Sequence, residues 1–456
     1  MAIDAFCILE ENYMLEFVNR WIIGTSLPIV LVISGIFFLF YLKFKPFLTP
    51  KKAIIAMVRP DGKEKKNGIS PFRSVTMALA GTLGVGNIVG VASAIAMGGF
   101  GSIFWMCVSA LCAMILKYAE IVLAVAYRPK ENECRGGAMW YISRAFEGMG
   151  LKRLGIALAS VFAFLCVMDS LSMGCIVQVS ALSGAVNGAF GIPKVAIGIC
   201  VAVLTAAVIK KGAKGISGIT EILVPLMSLG YVVMSVAVMV KCHDRLLWGL
   251  GEIFKGAFSI RSGVSGFLGF LFSDSVRYGT MRGLLSNEAG CGTAPFAHAA
   301  SSNTTPAKQG VWGIFEVFVD TILLCTMTAL VVIVNYDQVC ALAPDGMLMT
   351  LRAYTLVLGD ISGYFLAIAV FLFAYATVIC WSHYGRECVD WLFRGKGLPR
   401  RIFGIGFCLC AFLGAIMAPE EIWTLADFSI GSMTLINIFV VLIMSGEVKR
   451  LTDEVF

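Results

Sequence analysis

Long apolar runs separated by short polar stretches recur along the whole chain. Eleven runs are of membrane-spanning length, at roughly 21–42, 71–97, 102–127, 152–187, 194–210, 218–240, 264–300, 310–334, 360–388, 402–418 and 422–446. About 20 apolar residues in a helix match a hydrocarbon core of ~30 Å. The stretch 43–70 is polar and basic and carries Pro46, Pro50 and Pro60, so it sets the first run apart from the ten that follow. Two of those ten are interrupted. The run 71–97 contains Gly81, Thr82, Leu83, Gly84, Val85, Gly86, Asn87 and Gly90, and the run 264–300 contains Ser286, Asn287, Glu288, Ala289, Gly290, Cys291, Gly292 and Thr293. Glycine costs about 1 kcal/mol in a helix interior, so both stretches predict an unwound segment at membrane depth. Each opens a set of five runs, 71–240 and 264–446. Two sets with an odd number of crossings lie in the membrane with opposite orientation. Interrupted helices at matching positions of inverted halves point to a binding site near the bilayer midplane. The predicted organisation is an N-terminal helix and basic loop (1–70), a first five-helix set (71–240), an outer connection (241–263), a second set (264–446) and a tail (447–456).

Composition narrows the class. The chain is 58% hydrophobic and 14% charged, which excludes an ordinary soluble domain. Continuous apolar runs exclude the short alternating segments of an outer-membrane barrel. Asp4, Glu10, Glu11 and Glu16 precede the first run, where a cleavable signal carries positive charge. The net charge of +7 lies in loops, where it reports topology rather than affinity for nucleic acid. Basic residues gather in 43–66, 128–153, 210–214, at Lys308, in 394–401 and at Lys449 and Arg450. These loops share one side, which the positive-inside rule makes cytoplasmic. The N-terminus is then outside, the C-terminus inside, and the protein a multi-pass inner (plasma) membrane protein. The fifteen cysteines are scattered through apolar runs without a Cys-x-x-Cys pair, as small buried hydrophobes are. No Gly-x-x-x-x-Gly-Lys-[Ser/Thr] loop supports an ATP-driven pump. No Gly-x-Ser-x-Gly or His-Glu-x-x-His motif supports a hydrolase. An intramembrane enzyme would have to pair His298 with a serine of 286–302, a distant alternative, and the chain is read as a non-enzyme.

The broken segments suggest their own chemistry. Backbone N–H groups of Gly84, Gly86 and Asn87, opening the second half of the first broken helix, suit a carboxylate; close helix packing through small residues is the alternative. Ser286, Asn287 and Gly290 are placed to do the matching job on the second break. Glu288 is an intramembrane acid in need of a partner, with Arg277 and Arg282 as candidates, or as guards of an outer vestibule. Lys117 and Glu120 have the i, i+3 spacing of a helical ion pair. Glu221, Glu316, Asp320 and Asp427 read as paired acids or gates. His298 and His383 are the histidines in or near spans. Asp169 is read as replacing lost polarity, binding a cation or a proton or favouring a different substrate if it faces the site, and as merely tolerated if it faces a water-filled crevice.

At these residues the chain resembles the alanine/glycine:cation symporters, also called sodium:alanine symporters. The resemblance rests on Ala80 to Ile88, Phe104-Trp105, Lys117 to Glu120, Gly136-Gly137 with Met139, Thr220-Glu221, Arg277-Tyr278-Gly279, Arg282-Gly283 and Ser286 to Gly290. It continues through Ala294-Pro295, Ala297 to Ala300, Lys308 to Gly310, Asp320-Thr321, Trp381-Ser382, Tyr384-Gly385 and Leu425 to Asp427. It implies an all-α polytopic fold of about 11 transmembrane helices, a leucine-transporter-type 5+5 inverted repeat with an extra N-terminal helix. It implies a secondary transporter that imports a small neutral amino acid, alanine or glycine, coupled to Na⁺ by alternating access. H⁺ coupling or a different amino acid is the alternative. Carried over to this sequence, the resemblance implies that the Gln178 amide reads the substrate's polar end, an interhelical hydrogen bond being the plainer alternative. It also implies that Thr377 offers a hydroxyl to Na⁺ beside Thr82 and the carbonyls near Thr82 and Leu83. Trp381 then roofs the pocket, unless it sits at a lipid interface. The chain departs from the family pattern at Val85, Cys175 and Ala376, where the family usually has Thr, Asn and Ser. Each change removes a polar group near the expected site and leaves the identity of the amino acid open.

Overall fold

The computed structural model describes residues 24–48, 68–129, 135–258, 274–302, 304–342, 345–417 and 420–456. The acidic N-terminal residues, the basic residues from Lys51 to Lys66, Lys130 and the segment 259–273 lie outside the described residues. Among the described residues the only β pairing is a single bridge between Ile69 and Ser301. Helices of five or more residues are α1 (Gly24–Tyr41), α2 (Pro71–Thr82), α3 (Val89–Gly98), α4 (Gly101–Tyr127), α5 (Ala138–Arg144), α6 (Lys152–Phe190), α7 (Lys194–Ile209), α8 (Gly212–Lys241), α9 (His243–Ala257) and α10 (Asp274–Asn287). They continue as α11 (Ala294–His298), α12 (Pro306–Val334), α13 (Gly346–Leu358), α14 (Ile361–Leu392), α15 (Gly397–Ile416), α16 (Glu420–Ile443) and α17 (Ser445–Asp453). Seven are long and apolar enough to cross a membrane: α4, α6, α8, α12, α14, α15 and Ile422–Ile443 of α16. Most of α1, with α3, α7 and α13, is apolar but shorter.

Both glycine-rich stretches are gaps between helices. At the first, the Gly84 N–H turns to the Thr82 carbonyl at 2.9 Å rather than continuing the α-helical ladder to Ala80. A 3₁₀ turn over Val85–Asn87 follows before α3 begins. At the second, Glu288, Gly290 and Gly292 have φ of +51°, +85° and +76°. Left-handed backbone is open to glycine at no steric cost, so the two glycines accommodate the non-helical turn between α10 and α11.

The breaks lie side by side because α3 packs on α10 and α2 on α11. The bridge from Ile69 to Ser301 ties the start of α2 to the segment just past α11, so the two broken helices run antiparallel. Around them α4 packs on α12, α6 on α14 and α7 on α15. The apolar window of α4 is 89% buried against 28% for α8. Ile222, Leu226, Leu229, Val233, Val236 and Val240 form an exposed stripe on α8, spaced like one helix face and apolar as a lipid-facing surface must be. Helices in lipid associate through close backbone approach at small residues. Gly279 of α10 meets α4 this way: a Cβ there would lie 2.2 Å from the Ser102 carbonyl oxygen. Gly279→Val is expected to lower stability by about 1–3 kcal/mol through overpacking, read as a lower melting temperature in detergent. An unchanged melting temperature would contradict this crossing.

Among the described residues, helices not expected from the hydropathy pattern include α9 and α13. α9 occupies the predicted connection, and α13, at 13 residues, is too short to register as a span. Asp345 caps α13 by accepting from Met347 and Leu348 N–H groups, each at 3.0 Å. α13 seals the start of α3: Thr350 donates to the Ile88 carbonyl at 3.2 Å, and a Cβ on Gly346 would lie 2.3 Å from the Val89 carbonyl oxygen.

The expected Lys117–Glu120 pair is not formed. The Lys117 ammonium instead donates to Glu316 of α12 at 2.6 Å and to the Asn287 carbonyl at 2.6 Å. Both charged side chains are fully buried, so the cross-helix partner wins: without it each would be stranded in an apolar interior. Asn437 of α16 supplies the donor to Glu120 at 2.8 Å.

Candidate functional site

The site grows from the first break outward. Unwinding leaves the last carbonyls of α2 and the first N–H groups after it without helical partners. Side chains from two neighbouring helices, α6 and α14, converge on them. The Gln178 carbonyl oxygen accepts from the Val85 N–H at 3.2 Å. The Thr377 hydroxyl lies 3.1 Å from the Ala80 carbonyl and 3.5 Å from that of Leu83. A Cβ on Gly84 would come within 2.9 Å of Gln178 Oε1 and 3.0 Å of Thr377 Oγ1, so glycine is what allows both to close on the backbone. A Cβ on Gly86 would meet nothing within 4 Å: beside this crowded turn the loop faces open space.

Asn87 joins the two breaks. Its side-chain oxygen accepts from the Gly84 N–H at 3.1 Å. Its amide donates to Asp320 Oδ1 at 2.7 Å and to Ser286 Oγ at 3.0 Å. Ser286 and Thr321 donate to Asp320 Oδ2 at 2.9 and 2.7 Å, and Asn287 donates to Thr321 at 3.1 Å. Asp320 and Thr321 sit on a π-helical turn, Phe318–Cys325 of α12. A second π-helical turn, Ser172–Val177, immediately precedes Gln178 in α6. Such turns re-aim side chains and cluster at functional sites; here both lie beside the breaks.

The structure thus brings Leu83, Gly84, Val85, Gly86, Asn87, Gln178 and Thr377 to one place, with Ser286 and Asn287 alongside through Asp320 and Thr321. Three expected members point elsewhere. The Thr82 hydroxyl faces its own helix carbonyls and Glu316, each at 3.4 Å, because α2 is still helical there and turns it away from Thr377. Gly290 packs against Ile438 and Thr434 of α16, and its carbonyl accepts from Asn437 at 2.8 Å. Trp381 is fully buried, away from any lipid interface. It is wedged against Gly174, where a Cβ would lie 2.4 Å from the indole Cγ. Of the three departures from the family pattern, only Val85 lies in the broken loop; Cys175 turns to the Phe407 carbonyl of α15 at 3.6 Å.

Glu221 and Glu316 are paired acids, as expected, and Glu288 departs from expectation. Glu288 accepts from Thr293 at 2.7 Å and not from Arg277, which covers the Tyr278 ring, its guanidinium 5.3 Å from the centroid. Glu221 pairs with Arg73 at 2.8 Å, tying α8 to α2. His298 uses both ring nitrogens, on Glu316 at 3.1 Å and Gln309 at 2.8 Å. It therefore pairs with no serine, as a hydrolase would require. Sequence reasoning missed Cys325, Thr328 and Asn437. Thr328 donates to the Asn87 carbonyl at 2.9 Å, and Cys325 lies 3.3 Å from its amide. The signal was present: Thr321, Cys325 and Thr328 recur at three to four residues along the largely apolar second half of α12.

Comparison with known proteins gives this geometry a family. The family model described as the sodium:alanine symporter family matches residues 9–455. A sodium/alanine symporter, AgcS of Methanococcus maripaludis, is 35% identical over 94% of this chain and 94% of its own. A Bacillus subtilis protein described as a putative sodium/proton-dependent alanine carrier, YrbD, is 31% identical over 92% of this chain and 88% of its own. Among solved structures, a Na⁺-coupled sialic acid symporter in a substrate-bound outward-open state superposes with a TM-score of 0.53, at 13% identity, over 96% of this chain and 86% of the other. That likeness concerns the fold, which is of the leucine-transporter kind. The chain is a multi-pass membrane transporter, not an enzyme, and belongs to the sodium:alanine symporter family.

Proposed function

We propose that this carrier imports a small neutral amino acid, alanine or glycine, together with Na⁺, by alternating access in the inner membrane. The substrate carboxylate sits against the N–H groups of Gly84, Val85, Gly86 and Asn87. Ser286 and Asn287 shape the facing break through Asp320 and Thr321. Na⁺ lies among Thr377, Leu83 and the neighbouring Thr82 backbone, at the C-terminal, electronegative end of α2. The observation that carries this reading is the convergence of Gln178 and Thr377 on the unwound turn beside the open face of Gly86. The eleven-span organisation, with inverted repeats 71–240 and 264–446, draws support from the pairing of α4 with α12, α6 with α14 and α7 with α15. Each is the packing of one helix on its counterpart in the other half. The N-terminus is assigned outside and the C-terminus to the cytoplasm.

The driving force is adequate. One charge moving through 100 mV contributes about 2.3 kcal/mol, and a tenfold Na⁺ gradient adds about 1.4 kcal/mol. Together they support accumulation of roughly a few hundredfold. The test is uptake of labelled alanine into proteoliposomes with and without an inward Na⁺ gradient, competed by a panel of amino acids. Stimulation by Na⁺ and block by alanine or glycine is expected. Block only by another amino acid would support the second reading, a different substrate, which Val85 in the broken loop favours. Thr377→Ala is expected to raise the Na⁺ concentration for half-maximal uptake roughly tenfold, the loss of one oxygen ligand. An unchanged Na⁺ curve would remove Thr377 from the ion site.

A further inference from the structure

α9 occupies the connection between the two five-helix sets and takes no part in the site. Its contacts fix how it lies. A Cβ on Gly249 would come within 3.2 Å of Ile333, in the last turn of α12, and a Cβ on Gly256 would lie 2.8 Å from the backbone nitrogen of Gly101, the first residue of α4. Those two glycines are seven residues apart, about 10 Å at a rise of about 1.5 Å per residue. The Trp105 indole donates to the Ala257 carbonyl at 3.0 Å, and the Arg245 guanidinium pairs with Asp337, just past α12, at 2.5 Å. α9 therefore steps across the ends of two spans instead of running beside one of them. Aromatic rings gather at the same level: Phe100 lies 6.3 Å from Trp248 and 4.7 Å from Tyr336, as in the belt that marks a membrane–water boundary.

The residues of α9 divide into three faces. Gly249, Ile253 and Ala257, at intervals of four, are buried against the bundle. Leu247, Leu250 and Phe254, at intervals of three and four, form an apolar stripe beside that face; Leu247 is 82% and Phe254 57% exposed. Asp244, Arg245, Glu252 and Lys255 fall on the remaining side. A helix wholly in water does not favour such a stripe, and a helix wholly in hydrocarbon does not favour those charges. A helix in the plane of the boundary suits both. The stripe also continues a lipid-facing surface: α8 ends at Lys241, α9 begins at His243, and the exposed Val233, Val236 and Val240 of α8 lead to Leu247. The four charges cancel, and Lys255 is held by Glu252 at 2.8 Å. α9 thus has no basic cluster of the kind that recruits anionic headgroups.

We propose that α9 is an interfacial helix, its Leu247–Phe254 stripe seated among the acyl chains of the adjoining leaflet and its charged side in water. The partner is lipid, and the contact is apolar partition rather than attraction to anionic headgroups. This rests on the membrane-spanning fold and not on the identity of the cargo. Under the topology assigned above, the leaflet is the outer one. Through Gly256 and Gly101 it bears on the outer end of α4.

The test places a genetically encoded, environment-sensitive fluorescent amino acid at Leu247, at Phe254 or at Asp244 of the full-length protein in proteoliposomes, which spares the native cysteines. In phosphatidylcholine brominated near the top of its acyl chains, the labels at Leu247 and Phe254 should lose intensity, and iodide in the buffer should leave them bright. The label at Asp244 should show the reverse. Iodide quenching at Leu247 and Phe254 would put the stripe in water and overturn the proposal. Quenching by neither agent would mean that protein covers the stripe, either a second copy of this chain or residues 259–273, and would overturn it as well. Adding phosphatidylglycerol should leave the bromolipid quenching unchanged; quenching that required the anionic lipid would overturn the apolar assignment. If the label at one stripe position prevents folding, the other decides.

Discussion

Replacing Lys117 with methionine is expected to destabilise the protein by about 3–5 kcal/mol, the effect of leaving a buried charge without its partner. Glu316 would lose its 2.6 Å ammonium contact in a site with no exposure. The Asn287 carbonyl, at the last helical residue before the second break, would lose its donor at 2.6 Å. His298 and the Thr82 hydroxyl, which also lean on Glu316, would shift with it. Thermal unfolding in detergent should fall markedly for Lys117→Met. The double variant Lys117→Met with Glu316→Leu should recover most of the loss, because removing both partners of a buried pair is often close to neutral. A single variant that melts like wild type would mean that the pair does not hold α4 and α12 together.

Replacing Asn87 with alanine is expected to have the largest effect on transport. This one amide donates to Asp320 and Ser286 and accepts from the Gly84 N–H, so it sets the shape of the first break and fastens it to the second. Removing it leaves a buried carboxylate short of a donor and frees the Gly84 turn. A loss of about 3 kcal/mol in substrate binding, on the order of 100-fold in affinity, follows from an unmet buried hydrogen bond to a charged group. Asn87→Ala should still insert and melt cooperatively, since Ser286 and Thr321 continue to hold Asp320. Alanine binding within a fewfold of wild type would contradict the role given to Asn87.

Much of this arrangement was legible in the chain before any coordinates. Glycine in the middle of an apolar run has a local cost, and the run's length fixes its depth, so both breaks could be read from 81–90 and 286–293. Partner choice could not. Lys117 and Glu120 satisfy the helical spacing rule, yet pairing in a buried bundle is decided by which carboxylate lies opposite on another helix, and that is a property of packing. The same holds for Thr82: its hydroxyl is in the right segment, but the last turn of α2 aims it at Glu316. Trp381 was ambiguous because an aromatic near a span end suits lipid and core alike; the close approach of Gly174 resolves it in favour of the core. α13 escaped notice because its apolar run of 13 residues is shorter than a membrane crossing requires.

The central claim is that the amino acid binds at the turn Gly84–Asn87, between the two broken helices. Cryo-electron microscopy of the protein with alanine and Na⁺ tests it most directly. The account predicts density for the amino acid beside Gly86, its carboxylate on the N–H groups of residues 84–87 and within reach of Gln178, and a separate ion peak next to Thr377 and the Leu83 carbonyl. Amino-acid density elsewhere in the protein, with the Gly84–Asn87 turn empty, would contradict it.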